Sequence, residues 1–274
     1  MFGATGRLGS LCGEVLRDAA RTGTYYVFRR DGSFVSHPPD GAAQQALRPA
    51  ELRDALRDQP VLFCDCSIDH SGTEAMQRHE VFKRDLCAWL DERGALRAAI
   101  GFSSGIARLA ADRIRPHAEH MRAYRAVKLT QERHYQALRC PVFLPALFTL
   151  IGPRTYARQA AAWAVVLKWR TEGIEGAVLH DPFTRRFWVD ESTVRLALAD
   201  FLAGSGPERI MQPLVDGIFN LDEVARIELA DGAAPLGYTV GTSSAWHDGD
   251  YLCDHTFAST TTLPTALDRC LVAH

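Results

Sequence analysis

The sequence predicts an α/β protein: a doubly wound parallel sheet with helices on both faces, followed by a smaller C-terminal lobe. Three observations predict it. A glycine-rich turn, Gly3-Ala4-Thr5-Gly6-Arg7-Leu8-Gly9, opens the chain and runs into a helical pattern with Leu8, Leu11, Val15, Leu16 and Ala19 on one face. Short apolar, β-prone runs then alternate with helical ones, the rhythm of strand–helix–strand units. After Arg154 that rhythm gives way to shorter, more polar elements.

Taken in order, the glycine turn needs a strand before it, and only Met1 and Phe2 are there to supply one, so that strand is unusually short or truncated. Thr24 to Phe28 is β-prone and reads as the next strand, with Ser33 to Val35 pairing back as a hairpin after the Asp31-Gly32 turn. His37 to Gln45, with Pro38-Pro39 and Asp40-Gly41, reads as a loop. Pro49 to Arg57 is a short helix, Pro60 to Ile68 a buried parallel strand, Glu74 to Arg93 a long helix and Leu96 to Phe102 the next strand. A helix carrying Tyr124 and Lys128 runs to about Leu138, and Pro141 to Ile151 is a further strand and its exit. Beyond it the pattern predicts a helix from Tyr156 to Arg170, a strand–turn–strand from Ala177 to Val189, a helix from Ser192 to Ala203 and a short strand near Gly217 to Asn220. The boundaries are 1–155 for a dinucleotide-binding, Rossmann-type domain, with 190–203 packing back on it, and 156–274 for a smaller substrate-binding lobe.

Bulk properties set limits. The 274 residues are 47% hydrophobic and 23% charged, a globular balance, and the net charge of −2 gives no footprint for general nucleic-acid binding. No apolar run reaches the roughly 18 residues of a membrane helix, and no signal peptide is visible. The seven cysteines read as reduced core residues of a cytoplasmic protein, Cys64 and Cys66 among them, because C-x-C is neither a zinc nor a redox spacing. His247, Asp250, Cys253 and His255 fit no common zinc pattern and read as a polar loop, so no metal is expected. His117 and His120 read as a solvated helix start, and Trp163 and Trp169 face different sides of their helix.

Two motifs carry chemistry. Glycines at the opening turn let the backbone approach a pyrophosphate, which the helix N-terminus also attracts. At the end of the second strand an acidic residue would accept from a ribose 2′-hydroxyl; here Phe28 stands there and Arg29 and Arg30 follow, either solvated or accommodating a 2′-phosphate. This favours NADP(H), with NAD(H) as the alternative. Tyr124 and Lys128, four apart on a helix, stack on one face. A cation held beside a phenol favours its ionised form and fits it for proton transfer near neutral pH, although the pair is also compatible with a packed tyrosine and a surface lysine.

In this order the motifs resemble the extended branch of the short-chain dehydrogenase/reductase superfamily, the NAD(P)-dependent epimerase/dehydratase proteins. Gly3 to Gly9 resembles the cofactor turn. Phe102-Ser103-Ser104 resembles the strand end bearing the catalytic hydroxyl, and Tyr124/Lys128 the catalytic pair. Leu144-Pro145 with Leu150-Ile151-Gly152-Pro153-Arg154 resembles the segment beside the nicotinamide, and Arg186-Phe187-Trp188-Val189-Asp190-Glu191 the segment leading into the next helix. The opening turn is also similar to that of dihydrodipicolinate reductases, which do not account for the later motifs. The resemblance implies a catalytic set of Tyr124, Lys128 and Ser104. It implies cofactor contacts from Gly3, Thr5, Gly6, Arg7, Leu8, Gly9, Arg29, Arg30, Cys66, Ser67, Phe102 and Pro145, and substrate contacts from Ser103, Gly105 and Arg186. The family's hydroxyl often lies one residue beyond the Ser-Ser pair, where this chain has Gly105, so Ser104, Ser103 or neither fills the role. The implied activity is NADP(H)-dependent reduction of a keto group on a nucleotide-activated sugar or related small metabolite, with sugar-nucleotide epimerisation or dehydration as one alternative and a catalytically idle NADP(H)-binding sensor as another. The implied assembly is a homodimer built on the helices Glu74–Arg93 and Arg122–Leu138.

Overall fold

The computed structural model describes residues 1–274 except 20–22, 30, 40–41, 68–72, 160, 231, 244, 258–260 and 273–274. Arg30, the Asp40-Gly41 turn and the Ile68 end of the expected strand lie outside the described residues. The fold is α/β with a parallel sheet of Rossmann type, and the chain divides into two compact units. Met1–Ser103, Ala123–Pro145 and Arg195–Gln212 make the first; Ser104–Arg122, Ala146–Val194 and Pro213–His274 make the second.

The first unit carries α1 (Arg7–Asp18), β1 (Tyr25–Phe28), β2 (Phe34–His37), β3 (Ala46–Leu47), α2 (Pro49–Leu56), β4 (Val61–Asp65), α3 (Thr73–Glu92), β5 (Leu96–Gly101) and most of α4 (Glu119–Ala137). Its parallel sheet runs Arg209–Ile210, Val142–Phe143, β5, β4. Residues 1–2 extend it: Phe2 N donates to Cys64 O at 2.8 Å, Cys66 N to Phe2 O at 3.1 Å and Phe28 N to Met1 O at 3.0 Å. Two residues thus do the work of the strand before the glycine turn, joining β4 to the antiparallel β1–β2–β3 hairpin sheet. The hairpin forms as its β-branched and aromatic sequence requires, with Tyr25 opposite His37 and Phe28 opposite Phe34. Leu11, Val15 and Leu16 of α1 are buried, and Phe2, Phe34, Leu52, Phe63, Leu86, Leu90 and Val142 make the core.

In the second unit Leu150–Ile151, Arg186–Asp190 and Gly217–Phe219 form one sheet, and Ala177–Leu179 pairs in parallel with Tyr238–Val240. The core gathers Trp163, Leu167, Trp188, Phe219, Val224 and Leu267. Arg170 is buried there and donates to the carbonyls of Val224, Ala233 and Ala234 at 3.3, 2.7 and 3.0 Å, which compensates the cost of taking a guanidinium out of water.

Two expectations need correction. Pro141 to Ile151 is not one strand but three two-residue pieces, 142–143, 146–147 and 150–151. Pro145 has no N–H to offer a ladder, and the first and last pieces find different neighbours. Tyr156 to Arg170 is broken into helices Pro153–Ala157 and Ala162–Thr171, with Gln159 at φ 46° between them. The strand–turn–strand expected from Ala177 to Val189 is present as Ala177–Leu179 and Arg186–Asp190, each paired with a separate partner. Leu263–Val272 is a further helix, whose Ala266, Leu267 and Cys270 are buried. No described helix is long and apolar enough to cross a membrane.

Candidate active site

The glycine turn is a stretch of nearly bare backbone. Gly6 N donates to Gly3 O at 2.9 Å, and Gly3 has φ +69°. A Cβ at Gly3 would meet Ser67 Cβ at 2.7 Å, and one at Gly9 would lie 1.9 Å from Gly3 O, so both positions require glycine. The turn feeds α1, whose N-cap Gly6 has no side-chain cap and whose first turn holds no acidic residue. The helix dipole at this end of α1 favours an anion. Ser67, at the exit of β4 and packed on Gly3, has a buried Oγ without a partner among the described residues. Gly3, Gly6, Gly9, Cys66 and Ser67 are brought together here, with Thr5, Arg7 and Leu8 within the turn. These residues fit a dinucleotide pyrophosphate.

At the other end of the expected cofactor path, Phe28 faces away from a ribose role. Its ring lies in an aromatic cluster, 5.0 Å from Phe2, 5.1 Å from Phe34 and 5.4 Å from His79. Arg29 follows at the hairpin turn, where its N donates to Ser33 O at 2.9 Å and its side chain is exposed.

Tyr124 and Lys128 lie on one face of α4, with Lys128 Nζ 5.8 Å from the Tyr124 ring centroid. Lys128 is 6% exposed and donates to Phe102 O at 2.8 Å and to Gln131 Oε1 at 3.0 Å. Gln131 Nε2 in turn donates to Asp65 Oδ2 at 3.0 Å. Asp65 ends β4 and pairs with Lys83 of α3 at 2.9 Å, both side chains almost wholly buried. Lys83 also donates to Ser67 O at 2.8 Å and contacts Glu80. Desolvation pulls the Lys83 ammonium down, but the carboxylates of Asp65 and Glu80 outweigh it and its pKa ends above the ordinary value. Burial pushes the Glu80 carboxyl up against the opposing pull of Lys83. A buried chain of polar groups therefore runs Lys83–Asp65–Gln131–Lys128–Phe102, fixing Lys128 at its end. Pro145 O accepts from Ser103 N at 3.0 Å. Ser103 itself is turned into the unit, its Oγ donating to the buried Glu132 at 2.5 Å.

Ser104, Gly105 and Arg186 belong to the second unit. Ser104 caps a short 3-10 turn, its Oγ accepting from Ile106 N at 3.4 Å. A Cβ at Gly105 would lie 2.3 Å from Phe148 Cδ1, so the Phe148 ring fills the space a side chain there would need. That ring is held by Phe187 at 5.2 Å and Tyr251 at 4.9 Å. Arg186 is partly buried, which lowers its pKa, and donates to Thr184 O at 2.8 Å, whereas Arg185 is tied to Asp250 at 2.7 Å. His247, 4% exposed, packs on Trp246 and Tyr251 with neither ring nitrogen partnered among the described residues. Burial, helped by Arg186 and Arg113, lowers its pKa to about 4.

Sequence reasoning missed Asp65, Lys83, Gln131 and Glu132, all polar residues of the kind usually solvated. A signal was present. Lys83 falls seven residues after the buried Met76, and Gln131 continues the Tyr124/Lys128 stripe toward the buried Tyr135, so both sit on core faces.

No protein-family model matches the sequence, and no curated protein does. Solved structures match along the whole chain. UDP-N-acetylglucosamine 4-epimerase from Bacillus cereus matches with a TM-score of 0.70 at 13% identity, covering 99% of this chain and 97% of that one. MoeE5, solved in complex with UDP-glucose and NAD, matches with a TM-score of 0.65 at 19% identity over 99% and 96%. RMD from Pseudomonas aeruginosa, complexed with NADPH, matches with a TM-score of 0.62 at 15% identity over 99% and 97%. The chain has the fold of the sugar-nucleotide epimerases and dehydratases, the extended short-chain dehydrogenase/reductase architecture that its motifs resemble.

Proposed function

We propose that the chain binds a nicotinamide dinucleotide at the glycine turn and catalyses oxidoreduction at a keto or carbinol carbon of a nucleotide-activated sugar or related small metabolite. NADP(H) is the favoured cofactor, because Phe28 replaces the acidic residue that would read a ribose 2′-hydroxyl and Arg29 follows it. Bound nicotinamide supplies the hydride chemistry. Tyr124 gives the proton to the substrate oxygen in reduction and takes it in the reverse direction. Lys128 holds positive charge beside the phenol. Among the described residues two of its three N–H groups have acceptors, Phe102 O and Gln131 Oε1, and the third is the one that would reach a ribose hydroxyl. The observation that carries the reading is this fixed, buried Lys128 next to Tyr124 on α4.

The test is NADPH oxidation against a panel of 4-keto sugar nucleotides and simple ketones. Wild-type protein turns over at least one of them, and Tyr124→Phe lowers that turnover by about 10²–10⁴ while still binding NADPH. Full turnover in Tyr124→Phe would refute the assignment. Protein purified with tightly held NAD, and no net oxidation of added NADPH, would instead favour epimerisation or dehydration, as the names of the structural neighbours suggest. A second reading, an idle dinucleotide sensor, is favoured by one observation: the Phe148 ring stands where a hydroxyl at position 105 would be. NADPH binding without turnover on any substrate would select it.

A further inference from the structure

Three cysteine sulfurs converge behind the glycine turn. Cys12 comes from α1, Cys64 from β4 and Cys66 from the exit of β4. Cys64 Sγ and Cys66 Sγ are 3.5 Å apart, Cys66 Sγ and Cys12 Sγ are 3.5 Å apart, and all three lie within 4.8 Å of one another. Among the described residues these sulfurs have only one another as side-chain partners. Cys270 shows the contrast: as a buried helical thiol it donates to Ala266 O at 3.3 Å, four residues back. Cys12 and Cys64 are buried, while Cys66 is partly open.

We propose that Cys12, Cys64 and Cys66 form a three-thiolate site for a thiophilic divalent ion of the zinc class, with the fourth coordination position on the open Cys66 side taken by water. Zinc–sulfur bonds of about 2.3 Å in a tetrahedron set the sulfurs about 3.8 Å apart. The two 3.5 Å separations reach that value with a spread of a few tenths of an ångström. A disulfide would instead require closure to about 2.05 Å, a far larger movement for sulfurs anchored on a strand and a helix. Thiolate sulfur selects soft and borderline ions over calcium or magnesium. The sequence does not advertise the site, because C-x-C alone is not a zinc spacing and the third ligand lies 52 residues earlier on a helix.

Binding exchanges three S–H bonds for three metal–sulfur bonds and releases the three protons to solvent; no electron moves. The site therefore tightens as pH rises. It also ties α1 to the β4 exit, the two elements that frame the glycine turn.

The experiment uses the full chain, reduced and metal-free, titrated with Zn²⁺ against a chromophoric chelator. One equivalent binds, with proton release seen as a buffer-dependent heat. Cd²⁺ as a second probe gives a thiolate-to-metal charge-transfer band at the same stoichiometry. Cys66→Ser, at the partly open position where the fold is least disturbed, weakens Zn²⁺ binding by about 10–100-fold or more, since loss of the groups that merely orient metal ligands already costs that much. Cys253→Ser leaves it unchanged. Circular dichroism verifies that both variants are folded; if Cys66→Ser is not, Cys66→Ala is measured in its place. Absence of a one-equivalent site, a site indifferent to position 66, or a Cys12–Cys66 disulfide in the freshly isolated protein would each overturn the proposal.

Discussion

Replacing Lys83 with methionine removes the cation from a carboxylate that has almost no access to water. Lys83 Nζ sits 2.9 Å from Asp65 Oδ2 and 2.8 Å from Ser67 O, with side-chain exposures of 2% for Lys83 and 3% for Asp65. Methionine fills nearly the same volume, so little of the effect comes from a cavity. Glu80, already pushed up by burial, sheds its charge by taking a proton. Among the described residues Asp65 then keeps Gln131 Nε2 at 3.0 Å and Ser67 N at 3.3 Å. Breaking one side of a buried pair costs about 3–5 kcal/mol, a large part of the roughly 5–15 kcal/mol that holds a typical domain folded. With urea slopes of about 1–3 kcal/mol per molar, the midpoint of Lys83→Met falls by more than about 1 M at unchanged slope, read by circular dichroism. Adding Asp65→Asn recovers at least half of the loss, because no uncompensated charge is left. A single-variant loss below about 1 kcal/mol, the scale of a solvated surface pair, would refute the reasoning, as would a double variant no better than Lys83→Met alone.

Further outcomes follow from other parts of the molecule. Arg29→Asp weakens NADPH binding about tenfold or more and leaves NADH nearly unaffected, since one charge-assisted contact contributes about 1.5–3 kcal/mol; equal wild-type affinity for the two cofactors removes the basis for the assignment. Gly105→Ala destabilises by about 1–3 kcal/mol through overpacking against Phe148, and a thermal melt indistinguishable from wild type would contradict the filled space. His247, held down from 6.5 to about 4, stays neutral in the folded chain where the unfolded chain takes up a proton. Stability is unaffected by His247 above about pH 6.5 and falls as pH drops toward about 4, the loss reaching about 1–2 kcal/mol after discounting for solvent screening; His247→Phe flattens that slope in a pH series of urea melts. If α3 and α4 pair across a two-fold axis, light scattering at micromolar concentration gives a homodimer mass, and a monomer mass counts against it.

The sheet–helix alternation was legible because each buried element carries its own period. Leu11, Val15 and Leu16 mark α1, and Phe63 and Cys64 lie in a continuous apolar strand. What escaped was whatever depends on partners distant in sequence. The 142–143 and 150–151 pieces look like one strand until their different neighbours are known. Gln159 ends a helix through its positive φ, which no local apolar pattern announces. The Tyr124/Lys128 pair was visible as spacing, but Asp65, Lys83 and Gln131 were not, because a charged residue on a helix is usually solvated and these are buried only by virtue of one another. The cysteine cluster is of the same kind, its members on two elements.

The packing of Phe148 over Gly105 bears on how the sequence can change. A serine at position 105 alone collides with the ring, and a smaller residue at position 148 alone leaves a void beside Phe187 and Tyr251. Neither single step is neutral, so a route from this chain to one with a hydroxyl at position 105 crosses a less stable intermediate. The two positions are epistatic: with the aromatic ring over the glycine, change at position 105 is confined, and gain of a hydroxyl there requires paired substitutions made together.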